Sequence, residues 1–252
     1  MRIDELREQH LMPRSVSTVV EFSFVRTTEE YDQVLALRHT AYRHAGKVDE
    51  RLNPEDMGEI YDTRSRIVIG KYHGRVIASA GLVFNEYHDR MEIEESIDWP
   101  KELPRRDEMV EVIRNCTHPS YRGSDVLMAM FRFIAITVLQ AGRRYVAIGS
   151  SPDLIPLYTR IGMRDVNLDY YHRKLGGKLH KVLLGDIPQT MTGANIGPIF
   201  WNAIWSETTS YMMSTDLIKV SGIDVARMNL YRLFKPVSLL LQSRMRRPRQ
   251  KR

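Results

Sequence analysis

Residues 111–127 read Glu111-Val112-Ile113-Arg114-Asn115-Cys116-Thr117-His118-Pro119-Ser120-Tyr121-Arg122-Gly123-Ser124-Asp125-Val126-Leu127. Val110 to Thr117 reads as a strand, His118 to Gly123 as a loop opening the next helix, and Val126 to Gln140 as that long helix. Ser124 or Asp125 supplies the helix N-cap, a position that suits both residue types. Tyr145 to Ser150 is the next strand. A short helix then ends in Leu157-Tyr158-Thr159-Arg160-Ile161-Gly162-Met163. The unit is strand, loop, helix, strand, helix.

Elements on either side extend it. Val19 to Arg26 (VVEFSFVR) alternates and is rich in β-branched and aromatic residues, which predicts a strand. Thr27 or Thr28 then caps a helix with Glu29 and Glu30 in its first turn and Tyr31, Val34, Leu35, Leu37, Arg38 and Tyr42 at helical spacing, ending at Gly46. Arg66 to Tyr72 and Arg75 to Phe84 form a hairpin across His73-Gly74. Arg164 to Tyr171 and Lys181 to Gly185 are two closing strands.

This order resembles the GCN5-related N-acyltransferase (GNAT) superfamily over about residues 18 to 186. The resemblance implies an α/β (α+β) fold with a central mixed, mostly antiparallel sheet flanked by helices, the GNAT acyl-CoA N-acyltransferase fold. In that superfamily a Gln/Arg-x-x-Gly-x-Gly/Ala loop wraps bare amides around the coenzyme A pyrophosphate at a helix N-terminus. Here the loop is Arg122-Gly123-Ser124-Asp125-Val126-Leu127. Asp125 replaces the second glycine and Leu127 the third small residue, so a carboxylate faces the diphosphate and side chains block close approach. A thioester donor with no diphosphate is acyl carrier protein, whose phosphopantetheine arm carries one phosphate. The expected donor is therefore acyl carrier protein, with Arg122, Gly123 and Ser124 contacting its arm and no permanently bound cofactor. Acyl-CoA is the alternative.

A second resemblance, to long-chain N-acyl amino acid synthases and acyl-homoserine-lactone synthases, concerns the acceptor half. Those relatives show Arg-x-x-x-Phe and Gly-Trp on the first helix, Tyr-Asp before the second strand and Glu-x-x-Arg on the fourth. This chain has Arg38 with Tyr42, Gly46-Lys47, Tyr61-Asp62, and Glu111 with Arg114. Lys47 in place of the aromatic leans away from the lactone synthases, which use S-adenosylmethionine, toward the amino acid synthases. The expected activity is amide formation between a long-chain fatty acyl group and the amino group of an amino acid.

The resemblance implies an oxyanion donor on the backbone between Val112 and Thr117. Glu111 would accept the ammonium proton through water, or form a structural ion pair with Arg114 or another basic residue. Tyr158 occupies the position of the general-acid tyrosine; packing the core is the rival reading. Arg38, Arg43, Asp62 and Arg114 would hold the acceptor, whose carboxylate suits a planar guanidinium and whose ammonium suits Asp62; solvation or salt bridging is the other use of such charges. Cys116 reads as a small buried hydrophobe. The eight histidines show no metal-ligand spacing, so no metal is expected.

The 252 residues, 43% hydrophobic, suffice for one domain with an appendage. The expected division is an N-terminal segment (1–17), a GNAT-like domain (18–186), a helical C-terminal extension packed on the core (187–243) and a basic tail (244–252). In the extension, Pro198 to Met213 is expected to be a helix with Trp201 and Trp205 one turn apart, serving core packing or the wall of an acyl tunnel. Val225 to Arg244 is expected to be a second helix, bent or broken at Pro236. The net charge of +6 resides in Arg244, Arg246, Arg247, Arg249, Lys251 and Arg252, so residues 1–243 carry none. The tail reads as a solvated end or a contact for acidic carrier protein or anionic lipid; the basic charge belongs to the tail and does not by itself make the body a nucleic-acid-binding surface, so no nucleic-acid partner is expected. The polar start, no apolar run of the roughly 18 residues a bilayer requires, and a single cysteine predict a cytoplasmic protein. A non-catalytic carrier- or membrane-binding module is the reading from a different class.

Overall fold

Thr27 starts the first helix: its Oγ1 accepts the Glu30 amide at 3.2 Å, and Glu29 and Glu30 place negative charge at the positive end of the helix dipole. The computed structural model describes residues 19–49, 51–122, 124–172 and 177–238. Its elements are β1 (Glu21–Phe24), α1 (Thr28–His44), β2 (Ser65–Tyr72), β3 (Arg75–Phe84), β4 (Met109–Thr117), α2 (Val126–Gln140), β5 (Tyr145–Ser150), α3 (Ile155–Arg160), β6 (Met163–His172) and β7 (Lys178–Asp186). The short helices α4 (Ile187–Met191), α5 (Pro198–Ile204), α6 (Ser206–Ser214) and α7 (Gly222–Arg232) follow. The elements expected between Val19 and Gly185 all form; β1 is shorter than expected and β7 longer. At the β2–β3 turn His73 and Gly74 both have positive φ, 48° and 75°, as a two-residue hairpin turn of matching twist requires.

The seven strands lie in the order β1-β2-β3-β4-β5-β7-β6, parallel at β4–β5 and antiparallel at every other pair. Alternation along the strands divides the core. Ile67 and Ile69 of β2 pack with Val34, Leu37 and Ala41 of α1, whereas Val68 joins Val126, Met130, Ile134 and Val138 of α2 on the other face. This is the mixed, mostly antiparallel sheet with flanking helices of the GNAT fold.

Two irregularities in β4 create the site. Pairing with β3 runs from Cys116 opposite Ser79 to Ile113 opposite Gly81, so Arg114 and Asn115 together face Ala80 in a bulge, and Arg114 takes φ 50°. On the other side, parallel pairing with β5 ends at Glu111 opposite Ala147. β5 stays paired to β7 as far as Ser150. A notch therefore opens between Val112–Thr117 and Ile148–Ser150.

The C-terminal helices close the α2 side. Trp201, Ile204, Trp205, Met212 and Met228 belong to the same buried cluster as Phe131, Tyr158 and Ile161. The stretch expected as one helix from Pro198 is two, divided at Trp205, whose indole Nε1 donates to the Ile161 carbonyl at 3.1 Å. Trp201 Nε1 donates to Met191 O at 2.7 Å, so both indoles enter the interior with their donors satisfied. The other expected helix begins earlier than expected. Ser221 and Asp224 form a capping box, and α7 stops at Arg232, four residues before Pro236. Pro236 sits in the first turn of a helical stretch at 235–238, where a missing N–H costs nothing. Gly123, residues 1–17 and the expected basic tail lie outside the described residues. No helix among the described residues is long and apolar enough to cross a membrane.

Candidate active site

Two chambers meet at the notch. One is apolar and runs between the sheet and α2, with Phe131, Ile134, Met191 and Trp205 among its walls. The other is polar and holds Glu111, Arg114, Asn115, Tyr170, His172, His180 and Lys47. Val112, Ile148 and Tyr158 line both. β4 and β5 part at this point, so the shared wall is a direct consequence of the broken parallel ladder.

Glu111 is 1% exposed. Its carboxylate accepts the backbone N–H groups of Glu92 (2.8 Å) and Ile93 (2.9 Å). These two bonds favour the charged form, but burial outweighs them and pushes its pKa up to about 7. The expected alternative, an ion pair with Arg114, is not what forms. The bulge turns Arg114 toward Glu59, reached by Nε at 3.0 Å and Nη2 at 2.6 Å, and toward Glu92, reached by Nη1 at 2.9 Å. Nη1 also donates to Nε2 of His172 at 3.3 Å. These carboxylates hold the Arg114 guanidinium firmly protonated against its burial.

Tyr158 hangs from α3 into the shared wall, with Phe131 tilted against its ring at 5.8 Å between centroids. Asn115 Nδ2 donates to its phenol oxygen at 3.2 Å. Burial raises the phenol to about 12, so it is a proton donor at every physiological pH. In the polar chamber, a Cβ on Gly149 would lie 1.8 Å from the Tyr170 hydroxyl. Only glycine lets that ring close the chamber.

Arg38 and Asp62, expected to grip the acceptor, grip each other. Arg38 Nη1 and Nη2 reach Asp62 Oδ2 and Oδ1 at 2.6 and 2.8 Å, and Arg38 is fully buried. Tyr31 Oη and the Glu59 amide also donate to Asp62, and Arg38 donates to Met57 O. Neither residue lines the polar chamber; Asp62 borders an outer cleft beside β1 and β2. The pair ties residues 54–64 to α1 and so holds Glu59 against Arg114. Arg43 is exposed on the last turn of α1, also away from the chamber.

At the entry to α2, exposed Arg122 donates to the Ala41 carbonyl at the end of α1 at 3.2 Å. Ser124 Oγ donates to Tyr121 O at 2.7 Å and accepts the Val126 amide at 3.4 Å. Asp125 is the N-cap residue, but its side chain makes no capping bond there. Cys116 is buried with its thiol pKa pushed up by that burial, 3.5 Å from Ser79 Oγ, an inert core position. Among the described residues no group of three or more His, Cys, Asp or Glu is placed to hold a metal ion. Lys47, Asn115, Glu59, Glu92, Tyr170, His172 and His180 were not among the residues expected at the site. The one signal available was the Gly46-Lys47 departure from the aromatic of the related motif.

The sequence profile of the N-acyl amino acid synthase FeeM matches residues 33–179, more than half of the chain. The chain belongs to the FeeM family of N-acyl amino acid synthases. An N-acyl amino acid synthase is an acyltransferase, and this chain is one. The solved structure of FeeM, from uncultured soil microbes, superimposes with a TM-score of 0.55 at 10% identity, covering 70% of this chain and 94% of FeeM. A Lactobacillus plantarum protein assigned as an N-acetyltransferase gives a TM-score of 0.50 at 14% identity, covering 67% of this chain and 99% of that one. At these identities the likeness is one of fold. No curated protein sequence matches the chain.

Proposed function

We propose that the enzyme joins a long-chain fatty acyl group, delivered on acyl carrier protein, to the amino group of an amino acid. The observation that carries this reading is the meeting of an apolar and a polar chamber at Val112, Ile148 and Tyr158, where β4 and β5 part. A thioester carbonyl at that wall has its hydrocarbon tail on one side, among Phe131, Ile134 and Trp205, and a charged acceptor on the other. An acetyl group has no use for the apolar side. The carrier is supported by Asp125 at the N-cap of α2 with Leu127 just inside it, a poor seat for a diphosphate. The basic residues 244–252 complement an acidic carrier.

The acceptor ammonium gives a proton to Glu111, whose pKa near 7 lets it take one at neutral pH. The amine nitrogen then attacks the thioester carbon. The oxyanion is received by β4 backbone N–H groups in the stretch that has no strand on its β5 side. As the C–S bond breaks, Tyr158 gives its proton to the thiolate and regains one from the former amine nitrogen, whose second proton has to leave to form the neutral amide, while Glu111 releases the first to solvent. Thioester and ammonium thus become amide, thiol and one released proton.

The test is purified protein incubated with hexadecanoyl carrier protein, hexadecanoyl-CoA or acetyl-CoA and a panel of amino acids, with products read by mass spectrometry. N-acyl amino acids formed from the carrier-linked donor at more than ten times the rate from either coenzyme A donor are expected. Preference for a coenzyme A donor would overturn the carrier assignment, and products lacking an amino acid head group would overturn the acceptor.

A further inference from the structure

A carboxylate drawn out of water needs a cation or several donors to receive it. Resting on the amino-acid reading above, we propose that Lys47, with the Ser151 hydroxyl beside it, binds the carboxylate of the acceptor. The substrate class is then free amino acids, as distinct from their amides, esters or decarboxylated amines.

Charge pairing in and around the polar chamber isolates this lysine. Arg38 is closed on Asp62 outside the chamber, and Arg43 is exposed elsewhere. Arg114 lines the chamber but already holds Glu59 and Glu92. Lys47 lines it too, is half-buried, and enters no ion pair among the described residues; its Nζ lies 3.4 Å from Ser151 Oγ. Burial, together with the nearby Lys178 and Arg122, depresses the Lys47 pKa, with Asp153 opposing. An entering carboxylate would give Lys47 the direct ion pair that it does not make among the described residues.

The chain holds Lys47 in place. α1 ends in a left-handed reversal at Gly46 (φ 61°), with Gly46 N–H donating to Arg43 O at 3.0 Å and Lys47 N–H to Tyr42 O at 2.9 Å, the paired bonds of a Schellman cap. Lys178 Nζ clamps the Gly46 carbonyl at 2.7 Å. The side chain therefore leaves a fixed backbone toward the polar chamber that contains Glu111. An acceptor anchored there by its carboxylate presents its amine to the interior.

The same cation could serve the single phosphate of the carrier arm, and the two anions are separated by kinetics. Lys47→Met keeps length and apolar stem while removing charge. The expected result is a rise in KM for the amino acid of about 10- to 100-fold, the range of a charge-assisted hydrogen bond, with kcat changed less than about threefold and KM for acyl carrier protein unchanged. Wild-type preference for an amino acid over its carboxamide should vanish, and Lys47→Arg should restore part of it. Ser151→Ala, which removes one donor and no charge, is expected to raise the same KM several-fold, and thermal melting confirms that each variant is folded. An unchanged acceptor KM in active Lys47→Met overturns this assignment alone; a rise in the KM for acyl carrier protein instead gives Lys47 to the phosphate. A wild-type enzyme that forms no N-acyl amino acid overturns the parent reading and this one with it.

Discussion

Replacing Glu111 with Gln isolates a buried proton-binding site and makes a quantitative demand on stability. The carboxyl is 1% exposed, and its pKa stands at about 7 against a reference value of 4.5. A carboxyl whose folded value exceeds its unfolded one holds its proton more tightly in the native state. Its contribution is therefore fully present below pH 4.5 and is lost as the pH climbs through 7. Raising the carboxyl from 4.5 to about 7 corresponds to about 3 kcal/mol. Glutamine cannot titrate, so between pH 4.5 and 7.5 the wild-type free energy of unfolding should fall by about 3 kcal/mol relative to the variant. Superimposed on this is a pH-independent cost of about 1–3 kcal/mol, because an amide oxygen can accept from only one of the Glu92 and Ile93 amides while its NH2 faces the other. Urea titrations of both proteins at half-unit pH steps measure the difference. Parallel curves across that window would refute the assignment of a perturbed carboxyl, and with it Glu111 as the proton acceptor. Wild-type kcat/KM should rise with pH and level off above about 7, a limb absent from Glu111→Gln.

Three further substitutions test other parts of the site. Tyr158→Phe keeps the ring packed on Phe131 and removes the proton, so kcat should drop about 100-fold with both KM values little changed; an unchanged kcat would make Tyr158 a packing residue. Arg38→Met leaves Asp62 buried with Tyr31 and one amide for partners, which should cost about 3–5 kcal/mol in chemical denaturation, whereas a loss under 1 kcal/mol would contradict the buried-pair description. Trp205→Ala removes the wall that α5 and α6 place on the apolar chamber, so stability should fall by about 3–5 kcal/mol and products should shift toward longer acyl chains by mass spectrometry. An unaltered chain-length profile would place the tail elsewhere.

The framework from β1 to β7 is legible in the chain because each element rests on local signals: the Thr27 cap, the His73-Gly74 turn, and alternation in β2 and β3. The notch is not legible, since it depends on where the β4–β5 ladder stops and on a bulge that leaves Arg114 in a left-handed conformation. Local pattern says nothing of either. Arg38, Asp62 and Arg114 were visible as charges, but which carboxylate each arginine meets is decided by residues 54–64 and 92 returning across the sheet. Residues 85–108 carry no periodic signal, and so Glu92, whose carboxylate receives Arg114 and whose amide donates to Glu111, had none. His172 and His180 face each other at 5.0 Å only because β6 and β7 pair with the register of Tyr170 opposite His180. Lys47 was readable as an odd residue after Gly46; its destination required the helix-terminating turn.

The proposed reaction requires one acyl amide to straddle the wall formed by Val112, Ile148 and Tyr158, and a crystal structure with a long-chain N-acyl amino acid bound shows whether it does. The amide carbonyl should lie at that wall, the hydrocarbon among Phe131, Ile134 and Trp205, and the head group beside Lys47 and Glu111. A product lying with its tail in the outer cleft beside Asp62, or with head and tail both on one side of Tyr158, would contradict it.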